Sequence, residues 1–270
     1  MNPFSLEKKV IVVTGGTGVL GASFVKAIAG AGGIPVILGR RTEIAEQRAD
    51  EIIRSGGNAL AVTADVMEVG QLLAAKDLIV HQLGTIHGLV NAAGGNIPEG
   101  VLSPDADVFD LNLPGMKFAM DLNSWGTIFP TQVFGQLMSQ NQGGSIVNIS
   151  SVTSQMAVTR VLGYSMGKAA VDCFTKWLAV EVANRYGEKI RVNSIIPGFF
   201  LTEQNRHLLT QSDGTYTERA KRVLQHTPFR RFGQPEELNG ALIYLLSDAS
   251  KFVHGAEIRV DGAFTAFSGV

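Results

Sequence analysis

Cysteine is nearly absent from this chain. Cys173 stands alone in 270 residues, so no internal disulfide can form, which suits a reducing cytoplasm. It falls inside a helical apolar pattern and reads as an inert core thiol. Neither sign of charge is in excess: 23 Lys and Arg face 24 Asp and Glu, for a net charge of −1. That gives no electrostatic case for nucleic acid or a membrane surface. No apolar run approaches the roughly 20 residues of a membrane span. Residues 1–9 lack the apolar stretch of a secretory leader. A cytoplasmic protein without nucleic-acid or membrane partners is expected. The histidines are scattered without ligand spacing, so no metal site is expected. Met116, Phe118 and Met120 read as core filling.

What is present is a rhythm. Short β-branched runs at 10–14, 34–38, 59–64, 86–91, 145–150, 190–196 and 255–260 alternate with longer amphipathic stretches, among them 18–30, 42–55 and about 68–83. Thr42 is a plausible N-cap of the second helix, and Gly56-Gly57 ends it. Apolar strands separated by helices predict a single α/β domain, a doubly wound, mostly parallel sheet of seven strands. Two segments break the rhythm, 95–114 and 199–230. Both leave the carboxyl ends of strands, where such folds bind ligands. They are either a substrate pocket and lid or plain surface loops. No repeat or interdomain linker is visible.

Directly after the first strand comes Thr14-Gly15-Gly16-Thr17-Gly18-Val19-Leu20-Gly21. Gly16, Gly18 and Gly21 fit G-x-G-x-x-G in a strand–turn–helix context, a pattern that lets backbone approach a pyrophosphate at a helix N-terminus. About 20 residues on, an NAD site usually carries an acid. Here Gly39-Arg40-Arg41 occupies that place. Arginine can pair with a 2′-phosphate, so NADP is favoured over NAD; the alternative is that these arginines solvate a helix start. Asp65-Val66 ends the third strand, where Asp65 could accept from an adenine amino group, cap the next helix, or both. Asn91-Ala92-Ala93-Gly94 ends the fourth, as a flat bed for adenosine or as an ordinary tight turn.

Tyr164 and Lys168 lie four apart on a helix, hence on one face. A fixed ammonium beside a phenol favours the phenolate and lowers its pKa, which makes a Tyr useful as an acid/base. Ser151 could hydrogen-bond the same substrate oxygen. Such Tyr–Lys pairs also arise by chance on solvated faces.

In order and spacing, these parts resemble the short-chain dehydrogenase/reductase family over nearly the whole sequence. The series is the Gly-rich turn, Asp65-Val66, Asn91 to Gly94, Asn123, Ser151, Tyr164-x-x-x-Lys168, Pro197-Gly198 and Arg231 to Glu237. The gap of 13 from Ser151 to Tyr164 matches the family's spacing and favours Ser151 over Ser150. The resemblance implies that Tyr164 is the general acid/base, and that Lys168 lowers its pKa and holds the nicotinamide ribose. It implies that Ser151 polarises the substrate carbonyl, that Asn123 keeps a helix kink and a relay water, and that Pro197-Gly198 through Thr202 border the nicotinamide. The family turn is usually T-G-x-x-x-G-x-G; Val19 replaces its middle glycine, with Gly18 one place earlier. Family members usually form homotetramers through their long helices.

A narrower likeness, in the Gly-rich turn, 91–96, 197–206 and 261–270, is to one branch of that family, the D-mannonate oxidoreductases (fructuronate reductases) of the short type. It implies a sugar-acid substrate, D-fructuronate or D-mannonate. Such a substrate needs a cation and polar groups. Asn96, Gln155, Arg160, Gln204, Asn205 and Arg206 are the candidates, with Arg160 or Arg206 as a carboxylate clamp or as a solvated surface arginine. Alternatives are a 3-oxoacyl or other polyol or ketone reductase, and a dinucleotide-binding regulator without turnover.

Overall fold

The computed structural model describes residues 2–269, apart from the side chains of Glu203, Gln204 and His207. Its strands are β1 (Val10–Thr14), β2 (Ile34–Gly39), β3 (Leu60–Thr63), β4 (Gly88–Asn91), β5 (Gly144–Ile149), β6 (Ile190–Pro197) and β7 (Glu257–Val260). They form one sheet in the order β3-β2-β1-β4-β5-β6-β7, and every pairing is parallel. The order reverses between β1 and β4, which opens a crevice at the carboxyl ends of those strands. Two strands start two residues later than the sequence suggests. The ladder into β4 begins at Gly88 because the Val10 N–H donates to the His87 imidazole, at 3.0 Å. β7 begins after Gly255, whose φ of +68° breaks the extended path.

The helices are α1 (Val19–Gly30), α2 (Thr42–Arg54), α3 (Val69–Leu83), α4 (Leu113–Gln140), α5 (Leu162–Tyr186), α6 (Glu203–Leu209), α7 (Glu218–His226) and α8 (Asn239–Leu246). Alternation along β1 splits the core into two layers. Val10 and Val12 pack toward α3, α4 and α5, with Leu72, Ile79 and Phe134. Ile11 and Val13 pack toward α1, α2 and α8, with Phe24, Ile28 and Leu242. Thr42 is not the N-cap of α2. Its hydroxyl pairs with that of Thr63 at 2.8 Å, and Arg41 occupies the cap position.

Two core expectations fail on the outward sides of α4 and α5. Cys173 and Phe118 are both exposed, as are Trp125, Met166, Trp177 and Val180. These helices are apolar on their outer faces too, so periodicity does not reveal which side meets the sheet. Met116 and Met120 are half-buried. Both expected excursions leave the sheet. The first makes one 3-10 turn, Pro98–Gly100, before α4 begins. The second folds into α6 and α7, joined by a turn in which Thr210 bridges Tyr216. Among the described residues no helix is long and apolar enough to cross a membrane.

Candidate active site

The crevice floor is mostly backbone. Gly15 adopts φ +65°, and a Cβ there would lie 2.7 Å from the Ala92 carbonyl oxygen, so a side chain would be excluded twice over. Gly18 is the N-cap of α1. No side chain caps that turn and no acid sits in it, so its N–H groups face the crevice as an anion site. The turn's carbonyls point away and are held by arginines from the next unit. Arg48 donates to the oxygens of Gly16 and Gly18, and Arg41 to that of Thr17 at 2.5 Å. The Thr14 hydroxyl accepts from Ala92 and Ala93 N–H at 3.2 and 3.1 Å, stitching the ends of β1 and β4. A pyrophosphate fits this cradle by shape and by charge.

One wall carries the reactive side chains. Ser151 follows β5, and its hydroxyl accepts from the Thr153 N–H at 3.2 Å. Tyr164 and Lys168 rise from the first turns of α5. Lys168 is buried, and its Nζ donates to the Ile149 carbonyl at 2.8 Å and lies 5.7 Å from the Tyr164 ring centre. Burial pulls the Lys168 ammonium down to about 8, against the attraction of Asp172. Burial also pushes the Tyr164 phenol above its ordinary value, and hydrogen bonding with Ser151 opposes that push. This corrects the simple expectation of a lysine-depressed phenol. The ammonium is aimed at a carbonyl and the ring face, and desolvation of the phenol is the larger effect.

Asn123 lies behind this wall, fully buried. Its amide nitrogen donates to Gly95 and Ala119 oxygens at 2.8 and 2.7 Å, and its oxygen accepts from the Gly95 N–H at 3.0 Å. A Cβ on Gly94 would sit 2.5 Å from Asn123 Oδ1 and 3.4 Å from Lys168 Nζ. Asn123 thus clamps the strand exit against the lysine without itself lining the crevice.

The crevice has a volume of about 260 Å³. Gly15, Gly18, Leu20, Gly21, Arg41, Ala92 and Gly94 line the side built on the glycine turn. Ser151, Tyr164, Lys168, Pro197, Gly198 and Thr202 line the opposite side, with Asn96 and Asn205. Other candidates lie outside it. Gly16 packs against Ile37, and Thr17 is buried beneath Gly39. Arg40 is exposed and sits 3.7 Å from Asp65. The Asp65 carboxylate accepts from the Met67 N–H at 2.9 Å, ahead of α3 and not at its cap. Val66 belongs to the core, with Ala93 packed at its edge.

Asn91 is buried and takes no place in the crevice. Its amide nitrogen donates to Thr131 at 2.7 Å and Asn148 at 2.8 Å, and Asn148 donates to Thr175 at 2.8 Å. A polar relay therefore runs from α4 through β4 and β5 to α5, fixing the two long helices that flank the reactive wall.

The substrate candidates divide. Gln155 is tied to Glu257 and Arg259 at 3.1 and 2.8 Å. Arg160, at φ +76°, donates from Nε to Leu102 O at 2.7 Å and lines a second cavity of about 450 Å³. Arg206 is exposed and outside the crevice. The Gln204 side chain lies outside the described residues. Asn205 lines the crevice while its amide closes the start of α6, donating to Phe200 O at 2.7 Å and accepting from the Thr202 N–H at 2.9 Å. Thr153 and Val158 line both cavities. Besides Arg41, the crevice is lined by Arg219 of α7. No sequence motif marks it, or Arg48 beneath the glycine turn. The cap signal of Thr217 could have located α7, but nothing local points its arginine inward.

The chain matches the family described as enoyl-(acyl carrier protein) reductase over residues 18–265. It is 38% identical over 275 residues to an uncharacterized oxidoreductase, UxuB, of Bacillus subtilis, covering 98% of both sequences. A crystal structure from Haemophilus influenza with bound NAD, provisionally described as a D-mannonate oxidoreductase, superposes with a TM-score of 0.91 at 39% identity, covering 98% of each protein. A gluconate 5-dehydrogenase from Burkholderia cenocepacia, in complex with NADP and tartrate, gives 0.87 at 32% identity, again covering 98% of each.

Proposed function

Because the chain belongs to the short-chain dehydrogenase/reductase family, and is thus an NAD(P)-dependent oxidoreductase, we propose that it interconverts the ketone and secondary alcohol of a sugar acid, with D-fructuronate and D-mannonate as the pair. The observation that carries this reading is the convergence of Ser151, Tyr164 and Lys168 on the crevice that holds the Gly15–Gly21 turn. The likeness to a structure provisionally described as a D-mannonate oxidoreductase, and to a gluconate 5-dehydrogenase, supports the sugar-acid substrate.

The Gly15–Gly21 turn and the α1 N-terminus would hold the pyrophosphate, Lys168 the nicotinamide ribose, and Pro197-Gly198 with Thr202 the nicotinamide edge. Bound nicotinamide supplies the hydride in reduction and takes it in oxidation. The protein handles the proton. In reduction the Ser151 hydroxyl donates a hydrogen bond to the substrate carbonyl, and Tyr164 passes its proton to that oxygen as charge develops there. A phenol kept protonated by burial is ready for this direction. Lys168, with its ammonium destabilised toward 8, sits beside the phenol to stabilise the phenolate that remains. In oxidation each proton transfer runs in reverse.

Arg40 and Arg41 at the end of β2, where an NAD-selective site carries an acid, support a preference for NADP. The apolar outer faces of α4 and α5 support assembly into a homotetramer, and the single cysteine supports a cytoplasmic setting. Absorbance at 340 nm with D-fructuronate, D-mannonate, neutral ketoses and 3-oxoacyl thioesters tests the reading. Turnover of the uronate and aldonate is expected. Turnover of the thioesters with none of the acids would overturn it.

A further inference from the structure

A sugar-acid substrate brings a carboxylate as well as a ketone, and the two arginines nominated from the sequence for that carboxylate do not line the crevice. Arg160 is pinned to the first excursion and Arg206 faces outward. Arg219 lines the crevice from the roof, near Leu208 and Leu209. Its guanidinium is held from one side only. Nη1 donates to the Thr159 hydroxyl at 3.0 Å and Nη2 to the Thr159 carbonyl at 3.1 Å. Guanidinium has five N–H donors, and among the described residues the partner of this one is Thr159, with Arg160 as the charged neighbour. A half-buried cation with neutral partners and spare donors is the complement of a planar anion. The neighbouring Arg160 adds positive field and no competing anion. In a hexuronate the ketone and the carboxylate lie near opposite ends of the carbon skeleton. Tyr164 and Arg219 likewise come from different elements, α5 and α7, and line one crevice.

We propose that Arg219, oriented by Thr159, binds the substrate carboxylate and sets the selectivity of this enzyme for acids over neutral polyols and ketoses. This rests on the sugar-acid reading of the site. Arg219 is a binding residue and takes no part in proton transfer, so its loss acts through KM.

The test uses the full-length enzyme with NADPH or NADH, comparing D-fructuronate with D-fructose as the neutral ketose. Arg219→Ala should raise KM for D-fructuronate roughly 10- to 100-fold, the range for losing a charge-assisted pair. It should leave kcat within a few-fold, the affinity for the dinucleotide unchanged and turnover of D-fructose unchanged. Arg219→Lys keeps the charge and loses the fork. It covers the case in which the alanine variant fails to fold, and should raise KM by an intermediate factor. Thr159→Val should raise it less. An unchanged KM for D-fructuronate in Arg219→Lys and in a folded Arg219→Ala would overturn the assignment while leaving the sugar-acid reading intact, and so would an equal loss toward D-fructose. If the unsubstituted enzyme turns over neutral ketones and no acid, the sugar-acid reading itself fails and this assignment fails with it.

Discussion

The floor and the roof of the crevice are made differently. The floor is strand ends and glycines, fixed by buried polar ties: Asn123 to Gly95, Thr14 to Ala92, and Asn91 through Asn148 to Thr175. The roof, from 199 to 230, is two short helices. A few apolar side chains (Leu209, Ala220, Phe232) and local caps at Thr202 and Thr217 hold it. Buried hydrogen bonds are costly to leave unmade, so the floor tolerates little change. The roof is largely solvent-facing, and its side chains can vary without unfolding the sheet. Chemistry common to many substrates belongs on the first surface, and discrimination among substrates on the second.

The contrast can be broken first at Tyr164. Tyr164→Phe removes the assigned proton donor from the wall that rises from the floor and should lower kcat by roughly 10³-fold for every substrate, acid or neutral. Dinucleotide affinity, followed by fluorescence titration, should stay within a few-fold. Full activity would remove the assigned acid/base.

Lys168 separates stability from activity. Its folded pKa lies near 8, below the ordinary 10.5, so between those values the unfolded protein holds the proton that the folded protein has released. The contribution of this group to stability therefore grows as pH rises from about 8 to 10.5. The full span is on the order of 3 kcal/mol. Lys168→Met should lose activity, and melting curves should show its stability relative to the unsubstituted protein falling across that window. A difference independent of pH would mean that the lysine is not destabilised by burial.

Glycine positions come next. Gly94→Ala places a Cβ 2.5 Å from Asn123 Oδ1 on a backbone at φ +145°. A cost of roughly 1–3 kcal/mol is expected in denaturant unfolding, with weaker dinucleotide binding. The counterpart in the roof is Gly214, where nothing lies within 4 Å and only the φ of +84° resists a side chain. Gly214→Ala should cost less and leave dinucleotide affinity alone. The smallest effect is at the rim. Substituting Arg40 and Arg41 together by Ala should reduce the preference for NADPH over NADH by about 10-fold, the loss of one charge-assisted contact. A preference for NADH in the unsubstituted protein would refute the NADP assignment.

Much of the floor was legible in the sequence because its causes are local. Buried parallel strands read as continuous apolar runs, and a tight turn at φ +65° calls for glycine at 15, while the Ala92 carbonyl that also excludes a side chain there comes from a distant strand end. Asn91 departs from expectation for a physical reason. A polar side chain at a strand end can turn sideways into the interior as well as into the crevice, and only the partners Thr131 and Asn148 decide which. Cys173 and Phe118 mislead because α4 and α5 are apolar on both faces. Arg219 could not be read from sequence at all, since its orienting partner Thr159 is 60 residues away.

Thr153 and Val158 line both the crevice and the second cavity, beside residues 99–112. Trimming these shared side chains would merge two rooms into a corridor running from the reactive wall toward Arg160. Thr153 also donates to the Ser151 hydroxyl, from its N–H and from its own hydroxyl at 3.2 Å each, so Val158 is the side chain whose trimming would widen the passage with both of those bonds left in place.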